Sequence, residues 1–289
     1  MQSCSMARTL RLKDGTVVPR LGQGTWYLGQ GLSPRQQERD TLRLGIELGM
    51  TLIDTAEMYG EGRSEQLIGE AIQGLDREKL FLVSKVYPHN AGRGRLERSL
   101  EATLGRLGTD YLDLYLLHWR GSIPLRETAQ EMERQVALGR IRRWGVSNLD
   151  LRDMKELMAT GLGDHCVADQ VLYHLGSRGI EFDLQGWLAE RQIALMAYCP
   201  LAQGGTLRRG LLSHPAVTEA ARAHGATSAQ VLLNFVLQKD NVIAIPKAST
   251  PQHVSENAAA LDFCLTRQEL EALDQAFPPP ARPVSLDIV

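Results

Sequence analysis

The sequence lacks the features that mark a membrane or secreted protein. No stretch approaches the roughly 20 consecutive apolar residues that span a bilayer. The segment that carries Arg8, Arg11 and Lys13 has no apolar run of the kind found in a signal peptide. We therefore expect no contact with a membrane.

Cysteine is also scarce, and its spacing matches no metal or redox motif. The four cysteines are far apart and form no CxxC pair: Cys4, Cys166, Cys199 and Cys264. This spacing predicts free thiols in a reducing compartment. Together with the missing signal peptide, it predicts a cytoplasmic protein. An HExxH motif is absent as well, so no metal site is predicted.

An excess of one charge is absent. The chain of 289 residues has 32 Lys and Arg against 34 Asp and Glu, a net charge of -2. Such a balance gives no electrostatic footprint for nucleic acid. We expect the partner to be a small molecule.

What the sequence does contain is a regular alternation of short apolar runs and amphipathic helical patterns. The runs are nearly continuous in apolar residues, which is typical of strands buried on both faces of a parallel sheet. With two shorter runs they make eight predicted strands: 21–24, 51–54, 81–85, 114–118, 144–147, 167–171, 193–198 and 242–246.

The predicted helices have recognisable ends. Ser33 before Pro34 predicts an N-cap, and Thr250 before Pro251 repeats the pattern. Thr266, with Glu269 three residues later, predicts a capping box. Leu96, Leu100, Thr103, Leu104 and Leu107 fall on one stripe of the third helix.

Alternating strands and helices fit either an open doubly wound sheet or a closed barrel. The count of eight, the lack of a domain break and the missing GxGxxG motif after the first strand favour the barrel. We predict an α/β fold: a (β/α)8 TIM barrel in one domain over 1–289. Residues 9–18, alternating around Asp14-Gly15, predict an N-terminal β-hairpin that plugs the barrel.

Polar side chains follow the predicted strands, where barrels place their chemistry. Asp54, Lys85 and His118 end three successive apolar runs. Each alone could be a structural ion pair or a satisfied core residue. Three in succession favour a functional site, because an unpaired buried charge is costly.

Tyr59 follows Asp54 by five residues. A phenol has an ordinary pKa of about 10, too high for efficient proton transfer at neutral pH. We expect a lysine ammonium nearby, Lys85, to lower that pKa, and Asp54 to keep the lysine charged. His118 would then orient a carbonyl oxygen. This is machinery for protonating a carbonyl as it is reduced, with Tyr59 as the general acid.

These residues, in this order and context, resemble the catalytic tetrad of the aldo-keto reductase family. The resemblance extends over nearly the whole chain. Among family members, GTWY at 24–27 and the Trp119 context look most like small bacterial reductases, including those that reduce methylglyoxal. The matching segments are GMTLIDTA at 49–56, VSK at 83–85, LLHW at 116–119, WGVSN at 144–148, AYCPL at 197–201 and IPK at 245–247.

The resemblance implies NADPH-dependent reduction of small aldehydes or ketones by hydride transfer, by a protein that is often a monomer. It implies that the catalytic residues are Asp54, Tyr59, Lys85 and His118. Trp26, Tyr27, Tyr87 and Trp119 are expected to form the substrate walls with Tyr59 and His118.

The resemblance also implies which residues bind the cofactor. Ser147, Asn148 and Gln170 would hold the nicotinamide carboxamide, and Tyr198 would stack on the ring. The loop 199–205 would wrap the pyrophosphate. The full implied set is Gly24, Thr25, Trp26, Asp54, Ser147, Asn148, Gln170, Tyr198, Cys199, Pro200, Leu201, Gln203, Gly204, Lys247, Ala248, Ser249, His253, Glu256 and Asn257.

Two positions depart from the family pattern for NADPH. Where the family usually has serine and arginine after the lysine, this chain has Ala248 and His253. Histidine is not a permanent bidentate phosphate ligand. We therefore expect a weaker preference for NADPH, with NADH also possible.

Two other functions stay open at this stage. A nicotinamide-binding sensor or partner subunit would bind the cofactor with slow chemistry, although the sequence has no extra domain for it. A barrel hydrolase or isomerase ranks last, because no nucleophile or metal site is apparent.

Overall fold

The computed structural model describes residues 5–289, and it contains ten strands and eleven α-helices in that range. From residue 23 onward, helices separate each strand from the next, which confirms the predicted alternation. The strands are β1 Thr9–Arg11, β2 Val17–Pro19, β3 Gln23–Gly24, β4 Leu52–Asp54, β5 Phe81–Val86, β6 Leu114–Leu117, β7 Trp144–Ser147, β8 Cys166–Leu172, β9 Ala194–Tyr198 and β10 Val242–Ile245.

Strands β3 to β10 form a parallel sheet in which each strand pairs with the next along the chain. The first and last strands then meet: the Gly22 N–H donates to the Ala244 carbonyl oxygen at 2.9 Å, and the Gly24 N–H donates to Pro246 at 3.0 Å. This contact closes the predicted (β/α)8 barrel. A side chain at Gly24 would place its Cβ 2.6 Å from the Ile245 carbonyl oxygen, so closure needs glycine here.

The predicted hairpin is present as β1 and β2, which pair antiparallel. Gly15 turns the chain with φ +88°, and the Thr16 N–H donates to the Asp14 side chain. Leu12 and Val18 of the hairpin are buried against barrel-lining residues such as Leu114. The hairpin therefore plugs the amino-terminal end of the barrel, as predicted.

The helices surround the sheet and bury a second, larger apolar cluster against its outer face. The third helix buries the predicted leucine stripe. The helices are α1 Arg35–Glu47, α2 Arg63–Ile72, α3 Arg95–Leu107, α4 Leu125–Ala137, α5 Leu151–Ala159, α6 Leu184–Glu190, α7 Gly205–Ser213, α8 Pro215–His224, α9 Ser228–Val236, α10 Pro251–Ala258 and α11 Arg267–Ala276.

Two of the three predicted helix starts are confirmed. Thr250 caps α10 by accepting from the His253 N–H, and Thr266 forms a capping box with Glu269. The prediction for Ser33 is wrong. Pro34 is the extended N-cap residue, with ψ 127°, and no side chain caps α1.

Burial explains the apolar strands. Every residue of β4 to β8 is buried, because one face contacts the barrel interior and the other the helices.

In residues 5–289, no helix combines the length and apolar character that a bilayer crossing requires. Cys166 and Cys199 are free thiols, whereas Cys264 is disulfide-bonded, so the expectation of free thiols is wrong for Cys264. Cys4 lies outside the described residues.

Candidate active site

Three strand ends and one loop bring the predicted catalytic residues together at the carboxyl end of the barrel. Asp54 ends β4, Lys85 lies in β5, His118 follows β6, and Tyr59 lies in the loop after β4. All four side chains are buried. Parallel strands in neighbouring positions place these ends side by side, which is why residues far apart in sequence share one site.

Lys85 is the centre of the group. Its Nζ donates to Asp54 Oδ2 at 2.8 Å, to the Thr55 carbonyl oxygen at 2.8 Å and to the Tyr59 hydroxyl oxygen at 3.1 Å. Three acceptors for three N–H groups satisfy an ammonium completely. Burial lowers the pKa of Lys85, and the Asp54 carboxylate opposes that shift. The arrangement therefore favours a charged lysine despite its burial.

The pKa of Tyr59 differs from the expectation. Burial raises it well above its ordinary value, and the negative charge of Asp54 adds to the shift. The prediction that Lys85 lowers this pKa is wrong here, because desolvation of the phenolate outweighs one nearby cation. Tyr59 is therefore protonated at neutral pH, the state that a proton donor requires. Lys85 would stabilise the oxygen once the proton has left.

His118 is a neutral imidazole. Burial and the charge of Lys85 lower its pKa to about 2. Its ring lies edge-on to Tyr59, with centroids 5.8 Å apart. The buried Nδ1 atom has no hydrogen-bond partner among the described residues. A neutral imidazole can donate one hydrogen bond to a carbonyl oxygen, and it adds no positive charge beside the Tyr59 hydroxyl.

A second hydrogen-bonded group lies on the next strand ends. The Tyr198 hydroxyl donates to Asn148 Oδ1 at 2.9 Å, and Asn148 Nδ2 donates to the His118 carbonyl oxygen at 3.2 Å. The Ser147 hydroxyl donates to the Gln170 carbonyl oxygen at 2.8 Å. Asn148 adopts a left-handed backbone with φ 57°. These bonds fix the residues predicted to hold the nicotinamide around the catalytic group.

Aromatic rings form the outer walls. Trp26 stacks on Tyr27 with ring centroids 4.7 Å apart and lies 6.3 Å from the ring of Tyr59. Trp119 packs against His118 at 4.8 Å, and Tyr87 meets the edge of Trp119 at 5.9 Å. Of the predicted substrate aromatics, Trp26, Tyr27 and Trp119 line the two hollows described next, whereas Tyr87 lines neither and packs behind Trp119.

Two connected hollows open at this rim. The first, which we call the inner cavity, is bordered by the predicted catalytic phenol and imidazole and is lined by Trp26, Met58, Tyr59, His118, Trp119, Ser147, Asn148, Gln170, Tyr198, Ile288 and Val289. The second, which we call the rim groove, is larger, about 190 Å³ against about 60 Å³. It is lined by Gly24, Thr25, Trp26, Tyr27, Asp54, Tyr59, Tyr198, Cys199, Pro200, Leu201, Ala202, Gln203, Arg208, Ile245, Pro246 and Lys247.

The loop after β9 shapes the rim groove through its backbone. Cys199 and Ala202 have positive φ angles of 48° and 59°, which are uncommon for side chains with a Cβ. Strain of this kind is concentrated at binding sites. Burial raises the pKa of the Cys199 thiol to about 11, so the thiol is protonated and unreactive.

Most predicted cofactor residues line one of the two hollows, and a few do not. Gly204 follows the groove-lining part of the loop and precedes α7. The remainder continue from Lys247 along the chain toward and into α10: Ala248, Ser249, His253, Glu256 and Asn257. Of these, Asn257 is buried, and Glu256 accepts from Gln252.

Sequence reasoning missed several lining residues. Arg208 lies within α7, where neighbouring Arg209 gives no hint of which arginine faces the groove. Ile288 and Val289 belong to an extended tail without periodicity, so no pattern predicts that the tail returns to the active site. Met58 is adjacent to Tyr59 and could have been inferred from that position.

The chain belongs to the aldo/keto reductase family, whose family model matches residues 20–277. Its sequence is 56% identical over 282 residues to Methylglyoxal reductase YeaE of Escherichia coli (strain K12), covering 98% of this chain and 99% of that protein. It is 32% identical over 272 residues to Glyoxal reductase of Bacillus subtilis (strain 168), with 93% of each chain covered.

The chain is also similar in fold and sequence to solved structures of aldo-keto reductases. An aldo/keto reductase from Klebsiella pneumoniae, in complex with NADP and acetate, superimposes with a TM-score of 0.94 and 54% identity, covering 98% of this chain and 99% of the other. A Klebsiella pneumoniae aldo-keto reductase in complex with NADPH also has a TM-score of 0.94, with 52% identity over all of both chains.

Proposed function

We propose that the protein reduces small aldehydes and ketones, methylglyoxal among them, to alcohols with NADPH. The single observation that carries this proposal is the Lys85 ammonium, held between Asp54 and Tyr59 at 2.8 and 3.1 Å beside a neutral His118. This group has no hydrolytic nucleophile, but it can protonate an oxygen atom. The named relatives, a methylglyoxal reductase and a glyoxal reductase, support the substrate class.

The chain's own residues account for orientation and proton transfer. A carbonyl oxygen in the inner cavity would accept hydrogen bonds from the Tyr59 hydroxyl and from His118. Tyr59 would give up its proton as the carbonyl carbon is reduced, and Lys85 would stabilise the phenolate. Asp54 would keep Lys85 charged through the cycle. Trp26 and Trp119 would exclude water from the reacting carbonyl.

The residues present fit NADPH. The rim groove carries two cations, Arg208 and Lys247, and its one lining carboxylate, Asp54, is already paired. Gln170 uses its amide nitrogen toward Asp54, which leaves its amide oxygen to accept from a carboxamide. When bound, NADPH supplies the hydride. Lys247 offers a point charge to the 2′-phosphate, while His253 offers no permanent charge, so we propose a modest preference over NADH.

The mechanism is tested by following NADPH absorbance with methylglyoxal and a panel of aldehydes. Tyr59→Phe should lower kcat by about 10²- to 10⁴-fold, because general-acid catalysis is lost. NADPH binding, followed by tryptophan fluorescence, should persist. The control is Tyr111→Phe, since Tyr111 lies between Arg77 and Arg142 away from the site. Unchanged turnover in Tyr59→Phe would eliminate this mechanism.

We further propose that the chain works as one barrel domain and as a monomer in the cytoplasm. Support for the monomer is that residues of one chain line both the inner cavity and the rim groove, so the proposed reaction needs no second copy. Analytical ultracentrifugation at assay concentration and fractionation of cells test these two points.

A further inference from the structure

Arg208 has so far been described only as a cation of the rim groove, without an assigned ligand group. It lies in α7, is half-buried and lines the rim groove together with Gln203 and Lys247. No hydrogen bond or ion pair within residues 5–289 involves its guanidinium. By contrast, Arg209 is exposed, donates to the Thr206 hydroxyl and does not line the groove.

The charges around the rim groove favour the binding of an anion. Arg208 and Lys247 are its cations, and Asp54 is its one lining carboxylate. Lys85 neutralises the charge of Asp54 in an ion pair with an N···O distance of 2.8 Å. A half-buried guanidinium without a counter-ion is unfavourable, so the groove gains stability when an anion enters.

The position of Arg208 along the groove indicates which part of a dinucleotide it meets. Arg208 and Cys199 line the same groove, and the Arg208 charge acts against the burial that raises the pKa of the Cys199 thiol. Cys199 immediately follows Tyr198 at the end of β9 and begins the loop that the family resemblance assigns to the pyrophosphate. Lys247 follows β10 and leads toward His253 in α10, where the 2′-phosphate is expected.

We propose that Arg208 binds the pyrophosphate of the dinucleotide, whereas the 2′-phosphate meets Lys247 as in the proposed function above. This inference rests on the proposed function. Guanidinium groups form bidentate hydrogen bonds with phosphate oxygens, which a lysine cannot do. The first turn of α7 lies beside the same loop, and no side chain caps it, so its N–H groups favour the same negative charge. The chain thus supplies a guanidinium from α7 although position 253 holds none.

The two assignments differ in what they predict for NADH, which has the pyrophosphate but lacks the 2′-phosphate. Dissociation constants for NADPH and NADH are measured by tryptophan fluorescence for the wild type and for Arg208→Gln, Lys247→Gln and Arg209→Gln. Arg208→Gln should weaken both cofactors by a similar factor, about tenfold or more. Lys247→Gln should weaken NADPH more than NADH, and Arg209→Gln should change neither.

A further variant and a control for folding sharpen the test. Arg208→Lys keeps the charge but loses the planar fork, so its affinity should lie between those of the wild type and Arg208→Gln. Thermal unfolding of each variant without cofactor should match the wild type, because the guanidinium has no hydrogen-bond or ion-pair partner among residues 5–289.

Three results would overturn the inference. If Arg208→Gln binds both cofactors as tightly as Arg209→Gln does, Arg208 does not bind the cofactor, and the proposed function still stands. If Arg208→Gln weakens NADPH alone, Arg208 meets the 2′-phosphate instead of the pyrophosphate. If the wild type binds neither cofactor, the proposed function fails together with the inference.

Discussion

Gln170 and Asp54 are joined across the barrel by a hydrogen bond of 2.7 Å, donated by Gln170 Nε2 to Asp54 Oδ1. Gln170 lies in β8 and Asp54 in β4, with three strands between them in either direction around the barrel. The other carboxylate oxygen of Asp54 accepts from Lys85. One carboxylate therefore connects a residue predicted to hold the nicotinamide to Lys85, which contacts the proposed general acid Tyr59.

This connection predicts the effect of Gln170→Leu. The hydrogen bond lowers the pKa of Asp54 against the raising effect of burial, so its loss should raise that pKa further. Asp54 would then become neutral at a higher pH, and the acid limb of the kcat profile should move upward. We expect kcat at neutral pH to fall about tenfold, as for a lost hydrogen bond to a charged group.

The measurement is kcat from pH 5 to pH 8 at saturating NADPH. Gln66→Leu, at an exposed position of α2, is the control. An unchanged acid limb in Gln170→Leu would show that the bond does not tune Asp54.

His118 should contribute no limb to the pH profile. Its pKa of about 2 keeps the imidazole neutral throughout the working range. The profile of kcat/KM should therefore show no inflection near the ordinary histidine value of about 6.5. If such an inflection appears in the wild type and disappears in His118→Gln, His118 is charged during the reaction and this prediction is wrong.

Asp169 is predicted to lower stability at high pH. It is fully buried, and neither oxygen has a hydrogen-bond partner of normal geometry in the described residues. Burial raises its pKa well above the ordinary value, although the backbone of Leu149 opposes the shift. A raised carboxyl pKa means that the folded protein holds a proton that the unfolded chain releases. Stability should therefore fall as the pH rises above about 4.

Asp169→Asn replaces the titrating carboxyl group with a neutral amide, and it should stabilise the protein more at pH 8 than at pH 5. Each unit of raised pKa corresponds to about 1.4 kcal/mol, so a gain of at least that size is expected at pH 8. Urea unfolding at the two pH values measures it. Asp164→Asn, which alters a carboxylate that is 86% exposed, is the control. Equal effects of Asp169→Asn at both pH values would contradict the prediction.

The tail should set the affinity for small substrates. The Ser177 hydroxyl donates to the Asp287 carboxylate, which fixes the segment that carries Ile288 and Val289 into the inner cavity. Ser177→Ala removes the donor and frees the tail. We expect KM for methylglyoxal to rise several-fold with little change in kcat, because the contact shapes binding and not chemistry.

Steady-state kinetics of Ser177→Ala and of Ser285→Ala, an exposed residue on the same tail, test this expectation. The tail does not set affinity if both variants keep the wild-type KM.

The barrel and the meeting of Asp54, Tyr59, Lys85 and His118 at one end of it could be predicted because both follow from local pattern. Continuous apolar runs identified eight strands, and the polar residue at each strand end identified Asp54, Lys85 and His118. The start of α1 could not be predicted in the same way. Ser33 and Pro34 match a cap by composition, but the extended backbone of Pro34 moves the helix start to Arg35.

Other features depend on distant parts of the chain. The pKa of Tyr59 depends on how completely the folded barrel excludes water, and no spacing in the sequence measures that. Ile288 and Val289 reach the inner cavity because the tail crosses the barrel mouth, a path fixed by contacts such as that of Val284 with Gly179.

The hairpin that carries Leu12 and Val18 closes the floor of the barrel, and both the rim groove and the inner cavity lie at the opposite, carboxyl end. The rim groove and the inner cavity also share Trp26, Tyr59 and Tyr198 as walls. If NADPH occupies the rim groove and the carbonyl compound the inner cavity, we expect the cofactor to bind first and to leave last. Product inhibition patterns should therefore show an ordered addition of cofactor and substrate. The hairpin would contribute to this order by closing the opposite end of the barrel, although it takes no part in the chemistry.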